Sequence, residues 1–116
     1  MTKLLTPQQV EEYSRDGFVS PVRVLSPAQA AEYRRELESL EASMGGSLRG
    51  LARTKLYLGY PWAYRLATTP AILDAVEDLI GPDILLYQNT VWAKNAGEES
   101  FVSWHQDNTP QEKFPR

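Results

Sequence analysis

The chain has 116 residues, 42% of them hydrophobic and 23% charged, with a formal net charge of -3. That is room for one small domain and not for two, and the acidic balance argues against nucleic acid, whose phosphates call for a basic patch or stripe. With no cysteine, neither a disulfide framework nor a thiolate metal site can form.

Three helix starts share one pattern, a hydroxyl residue followed by proline: Thr6-Pro7, Ser26-Pro27 and Thr69-Pro70. The hydroxyl accepts from an otherwise unpaired N–H of the first turn, and proline at the first helical position lacks a donor that would be idle there. Gln9 and Gln29, three residues after Thr6 and Ser26, complete capping boxes. Gly17, Gly45-Gly46 and Gly81-Pro82 supply the stops. The second helix carries Ala30, Tyr33, Leu37 and Leu40 on one stripe, with Arg34, Arg35, Glu38 and Glu41 toward water; Glu36, Glu38 and Glu41 form a solvated face rather than an acid–base site. The third carries Ile72, Leu73, Val76, Leu79 and Ile80 at helical spacing.

Between the first two helices, residues 18–24 read as a short strand that Pro21 confines to an edge or interrupts. Gly45, Gly46 and Gly50 point to a mobile loop, followed by a strand at 54–58 and a short helix at 61–68. After Gly81-Pro82 the periodicity changes: residues 84–94 suit an extended strand, 96–100 a turn and 101–106 a second strand. Trp92 and Trp104 are expected to fill an apolar layer there, and Tyr57, Tyr60, Trp62 and Tyr64 to pack between helix and sheet. No apolar run is long enough to cross a bilayer, and the N-terminus lacks a secretory signal. A cytoplasmic location with no membrane partner is expected.

The densest chemical signal is Ser103-Trp104-His105-Gln106-Asp107. On an extended strand, residues i and i+2 share a face, so His105 and Asp107 would aim an imidazole and a carboxylate at one point. That is two-thirds of a 2-His-1-carboxylate triad, the donor set that holds Fe(II) and leaves exchangeable positions for co-substrate and oxygen.

Three blocks carry a family resemblance. Residues 5–13 with Asp16-Gly17-Phe18-Val19, the run 72–83, and Trp104-His105-Gln106-Asp107 resemble, in order and spacing, the opening helix, the helix before the first core strand, and the first iron-binding signature of the phytanoyl-CoA dioxygenase family. The resemblance spans residues 1–107. It implies an α+β fold: N-terminal helices followed by the first strands of an incomplete double-stranded β-helix, the cupin-like jelly roll. It also implies an iron(II)- and 2-oxoglutarate-dependent oxygenase that hydroxylates a small organic substrate in its full-length form. His105 and Asp107 carry over as iron ligands, and Lys55 and Gln88 as groups near the 2-oxoglutarate co-substrate.

Two departures follow. His105 is the sole histidine, whereas the family takes a second from a later strand, together with a basic anchor for 2-oxoglutarate. Residues 108–116 carry two prolines and no apolar alternation, and are expected to be a disordered tail. The chain by itself is therefore expected to be inactive. The alternative is a non-catalytic remnant serving as a binding or interaction module, self-associating through its unfinished sheet.

Overall fold

The computed structural model describes residues 2–99 and 101–105. Six helices follow one another: α1 (Pro7–Asp16), α2 (Pro27–Ser43), α3 (Leu51–Thr54), α4 (Leu56–Gly59), α5 (Pro61–Ala67) and α6 (Pro70–Ile80).

The first two starts are capped as the sequence indicates. Thr6 and Ser26 each accept from the backbone N–H of the glutamine three residues on, at 3.2 Å, while Gln9 and Gln29 accept from the cap N–H at 2.9 Å. The third start differs. Thr69 makes no cap bond, because its hydroxyl donates back to the Arg65 carbonyl at 3.1 Å, so the end of α5 takes the group that α6 would have used. Gly17 closes α1 in the left-handed region at φ 80, returning its N–H to Tyr13 O at 2.8 Å. A β-carbon is disfavoured in that conformation.

The buried core is small. Leu48, Ala52, Leu56 and Ala63 form one cluster, with Leu37, Leu40, Met44, Tyr60, Trp62 and Val91 packed against it. It sits where the 44–50 loop, α3, α4 and α5 meet the stripe of α2. A second anchor lies at the other end of the helical layer. Leu5 is buried, and Asp78 of α6 accepts the backbone N–H groups of Lys3, Leu4 and Leu5 at 2.7, 2.8 and 2.7 Å. This clasp ties the N-terminal arm to the helix that α1 packs against.

The expected strands are the main correction. Among the described residues there is no strand and no sheet, so the structure contradicts the first strands of a jelly roll. At 54–58 the chain is helical on both sides of Lys55, which breaks α3 from α4 at φ -143 and ψ 48. Residues 18–24 pair with nothing in a ladder, and Pro21 has no N–H to contribute to one. Residues 84–94 are non-helical but meet the rest through one isolated parallel bridge, Lys55 to Asn89. Apolar and β-branched composition favours an extended backbone, yet a strand exists only where a second one supplies its hydrogen bonds. Residues 101–105 do not supply them.

Packing follows suit. Trp92 and Trp104 fill no apolar layer; they are 75% and 104% exposed. Ala30 and Ile80 lie outside the buried stripes assigned to them, and Tyr64 is exposed. The second expected strand is described only to residue 105. Gln106, Asp107 and the expected tail 108–116 lie outside the described residues. No helix among the described residues is long and apolar enough to cross a membrane.

Candidate functional site

Residues 84–95 run across the α3–α4 junction, and most of the chemistry-bearing side chains gather at that crossing. The backbone fixes the register: Val91 N–H donates to Arg53 O at 2.9 Å, and Lys55 bridges Asn89. The Tyr57 hydroxyl reaches Leu86 O and Tyr87 O at 3.3 and 3.4 Å, long contacts that guide more than they bind. Two cations cover two aromatic rings of the crossing segment. The Arg53 guanidinium carbon stands 4.5 Å from the centre of the Trp92 ring, and the Lys55 ammonium 5.7 Å from that of Tyr87. Both lie within the range where a ring quadrupole attracts a cation.

Lys55 is half-buried and lines a cleft of about 470 Å³ together with Arg49. Gln88 sits next to the bridging Asn89 but is exposed, and its amide donates to Thr90 Oγ1 at 2.8 Å. Lys55 and the segment bearing Gln88 are thus neighbours, while the Gln88 amide is engaged along its own backbone. Between them Asn89 Oδ1 is buried without a hydrogen-bond partner. Such a group is costly in a finished site.

His105 is exposed, and its Nδ1 lies 2.8 Å from the carbonyl oxygen of Ser103. A carbonyl only accepts, so Nδ1 is the donor in this contact, and in the neutral tautomer that follows the lone pair belongs to Nε2. A metal-bound imidazole takes this arrangement when its second nitrogen is held by a backbone carbonyl. The hollow beside His105, about 370 Å³, is lined among the described residues by Val102, Ser103, Trp104 and His105. Lys55 and Gln88 do not line it. Asp107, the other proposed ligand, is outside the described residues. Among the described residues no three His, Cys, Asp or Glu side chains gather as a metal-binding group.

Arg49, Arg53 and Asn89 escaped the sequence reading. Strands were expected at 54–58 and 84–94, but nothing in either indicated that the two segments cross. No family model, curated protein sequence or solved structure matches the chain.

Proposed function

We propose that these residues are the N-terminal portion of an iron(II)- and 2-oxoglutarate-dependent oxygenase of the phytanoyl-CoA dioxygenase family, acting on a small organic substrate in the cytoplasm. The observation that carries the reading is the signature Trp104-His105-Gln106-Asp107, joined to the contact of His105 Nδ1 with the Ser103 carbonyl, which suits the neutral ring a metal needs. The two earlier blocks at the chain's start and in α6 stand in the order the family has them.

His105 Nε2 and the Asp107 carboxylate are the two donors this chain offers to the metal. Their chemistry fits Fe(II), which accepts imidazole nitrogen and carboxylate oxygen together. When bound, the metal supplies exchangeable positions for co-substrate and oxygen. Lys55 contributes a positive charge for a carboxylate of 2-oxoglutarate, and Gln88 an amide that must first leave Thr90. With one histidine in 116 residues, the second histidine of the triad has to come from outside this sequence. The 116-residue polypeptide alone is thus expected to form no succinate.

Titration of the chain with Fe(II) or Co(II) under anaerobic conditions tests the site directly. Weak saturable binding is expected, falling about tenfold or more in His105→Ala and in Asp107→Ala, in line with the cost of disturbing a metal's ligand shell. Equal affinity in all three proteins would remove the iron site, and succinate production by the isolated chain would remove the claim of inactivity.

A second reading, an interaction module, is favoured by a separate observation. Leu85, Tyr87, Phe101 and Trp104 are all more than three-quarters exposed, on non-helical backbone that makes no ladder. Exposed apolar residues on unpaired extended chain invite association with another polypeptide, a second copy included.

A further inference from the structure

The cleft beside Lys55 sets two cations against an apolar wall. Arg49 enters it from the loop after α2 and Lys55 from the break between α3 and α4, and its wall is made by Met44, Leu51, Leu58 and Tyr60. Among the described residues no carboxylate lines it. Among the described residues Lys3 meets Glu77 and Asp74, Arg15 meets Asp16, and Arg34 meets Glu38, while Arg23, Arg35, Arg53, Arg65 and Lys94 form no ion pair. Arg49 and Lys55 form no ion pair among the described residues. Arg49 reaches only the Met44 carbonyl, at 3.4 Å, and a guanidinium has five N–H donors to offer. Two cations without acids on a chain of net charge -3 create a local positive site.

The wall is as telling as the charge. Leu51 and Leu58 are 69% and 67% exposed, so two large aliphatic side chains face solvent beside the two cations. The volume of about 470 Å³ falls in the size range of small-molecule sites, which combine an apolar lining with a few polar groups that fix orientation.

We propose that this cleft binds a small organic acid, its carboxylate held by Arg49 and Lys55 and its aliphatic body laid on Leu51, Leu58 and Tyr60. The carboxylate meets a planar guanidinium, which can take it through two parallel N–H bonds, and an ammonium point charge. The hydrocarbon covers leucine surface that otherwise stays in water. An inorganic anion would answer the charge and leave the leucines bare; a neutral lipid would do the reverse. The inference shares Lys55 with the co-substrate assignment but needs no metal, so it stands or falls separately from the iron site.

The test is calorimetric titration of the 116-residue chain, in the presence of a chelator, with octanoate, 1-octanol and 2-oxoglutarate in turn. Octanoate is expected to bind saturably with one site, and octanol about tenfold more weakly or worse, since it keeps the tail and lacks the charge. Arg49→Gln and Lys55→Gln are each expected to weaken octanoate about tenfold, the scale of one charge-assisted contact. Leu58→Glu, which sets an acid in the cleft at an exposed position, is expected to abolish binding with helical circular dichroism unchanged. Arg49 and Leu58 are both exposed, so those two variants decide the matter even if Lys55→Gln unfolds. Octanol matching octanoate, tighter binding of 2-oxoglutarate than of octanoate, unaltered affinity in the Arg49 and Leu58 variants, or no saturation with octanoate would each overturn the proposal.

Discussion

Asp78 carries more of this fold than any other charged side chain. Its carboxylate gathers the three N–H groups of Lys3, Leu4 and Leu5, and Lys3 adds its ammonium to Glu77 one residue away at 2.7 Å. Desolvation pushes the Asp78 pKa up, but the three backbone donors and the Lys3 charge outweigh it, and the pKa falls below the ordinary 3.8. The charge facing it is that of Lys3, which Glu77 and Asp74 also approach. The sign follows from linkage: a carboxylate depressed in the folded state contributes in full above its unfolded value, and that contribution is lost as the pH falls through the folded one. Protection of the amides of residues 3–5, their exchange relative to the free-chain rate at the same pH, should therefore be full at neutral pH and fall once the pH drops below the ordinary 3.8. In Asp78→Asn it should be low throughout. Protection that persists in the variant would mean that burial of Leu5, not the clasp, holds the arm.

At the scale of elements, the small cluster under α3, α4 and α5 sets what each short helix is worth. Leu56 is 3% exposed and belongs to the core, whereas Leu58, two residues on, is 67% exposed. Truncation of Leu56 to alanine should cost about 2–5 kcal/mol, the range for a buried leucine, and truncation of Leu58 well under about 1 kcal/mol. Urea denaturation of the two variants side by side checks this, and equal losses would contradict the placement of α4. These two helices also show where sequence reading stopped. α1 and α2 were legible from their capping boxes and prolines, and α5 and α6 from a proline at the start without a cap bond. Residues 54–58 read as a strand because Thr, Tyr and Leu suit one, and a four-residue helix has too few positions to show a period. Residues 84–94 were legible as non-helical but not as unpaired, since a ladder depends on a partner remote in sequence. For the site, spacing alone suggested that His105 and Asp107 share a face, and Asp107 lies outside the described residues. The placing of Arg49 and Lys55 on one cleft and of Arg53 over Trp92 was not legible, because each joins segments that no local pattern connects.

The whole molecule is open. Its accessible surface is 9897 Å² for a mass of 13.1 kDa, against about 6,400 Å² for a compact monomer of that mass. Its Cα radius of gyration is 16.9 Å, against about 13 Å for a compact domain of this length. Much of the excess lies beyond α6, where Leu85, Tyr87, Trp92, Phe101, Val102 and Trp104 face solvent. Brief chymotrypsin treatment should cut first at these aromatic residues and leave a core containing residues 7–80. In sedimentation, the mass should rise above 13.1 kDa with concentration, and Leu85→Asp combined with Phe101→Asp should reverse the rise. A monomer at all concentrations would count against the interaction reading.

The clasp on Asp78 has a consequence for the order of assembly. Its bonds join residues 73 to 75 positions apart, while α3, α4 and α5 meet neighbours close along the chain. Local contacts form early, and the entropy of closing a long loop is spent only when both ends have something to grip. Leu5 and its neighbours must therefore wait for α6 to form, which makes residues 3–5 among the last to settle. A chain cut before residue 70 would keep the sequences of α1 to α5 and lack its latch.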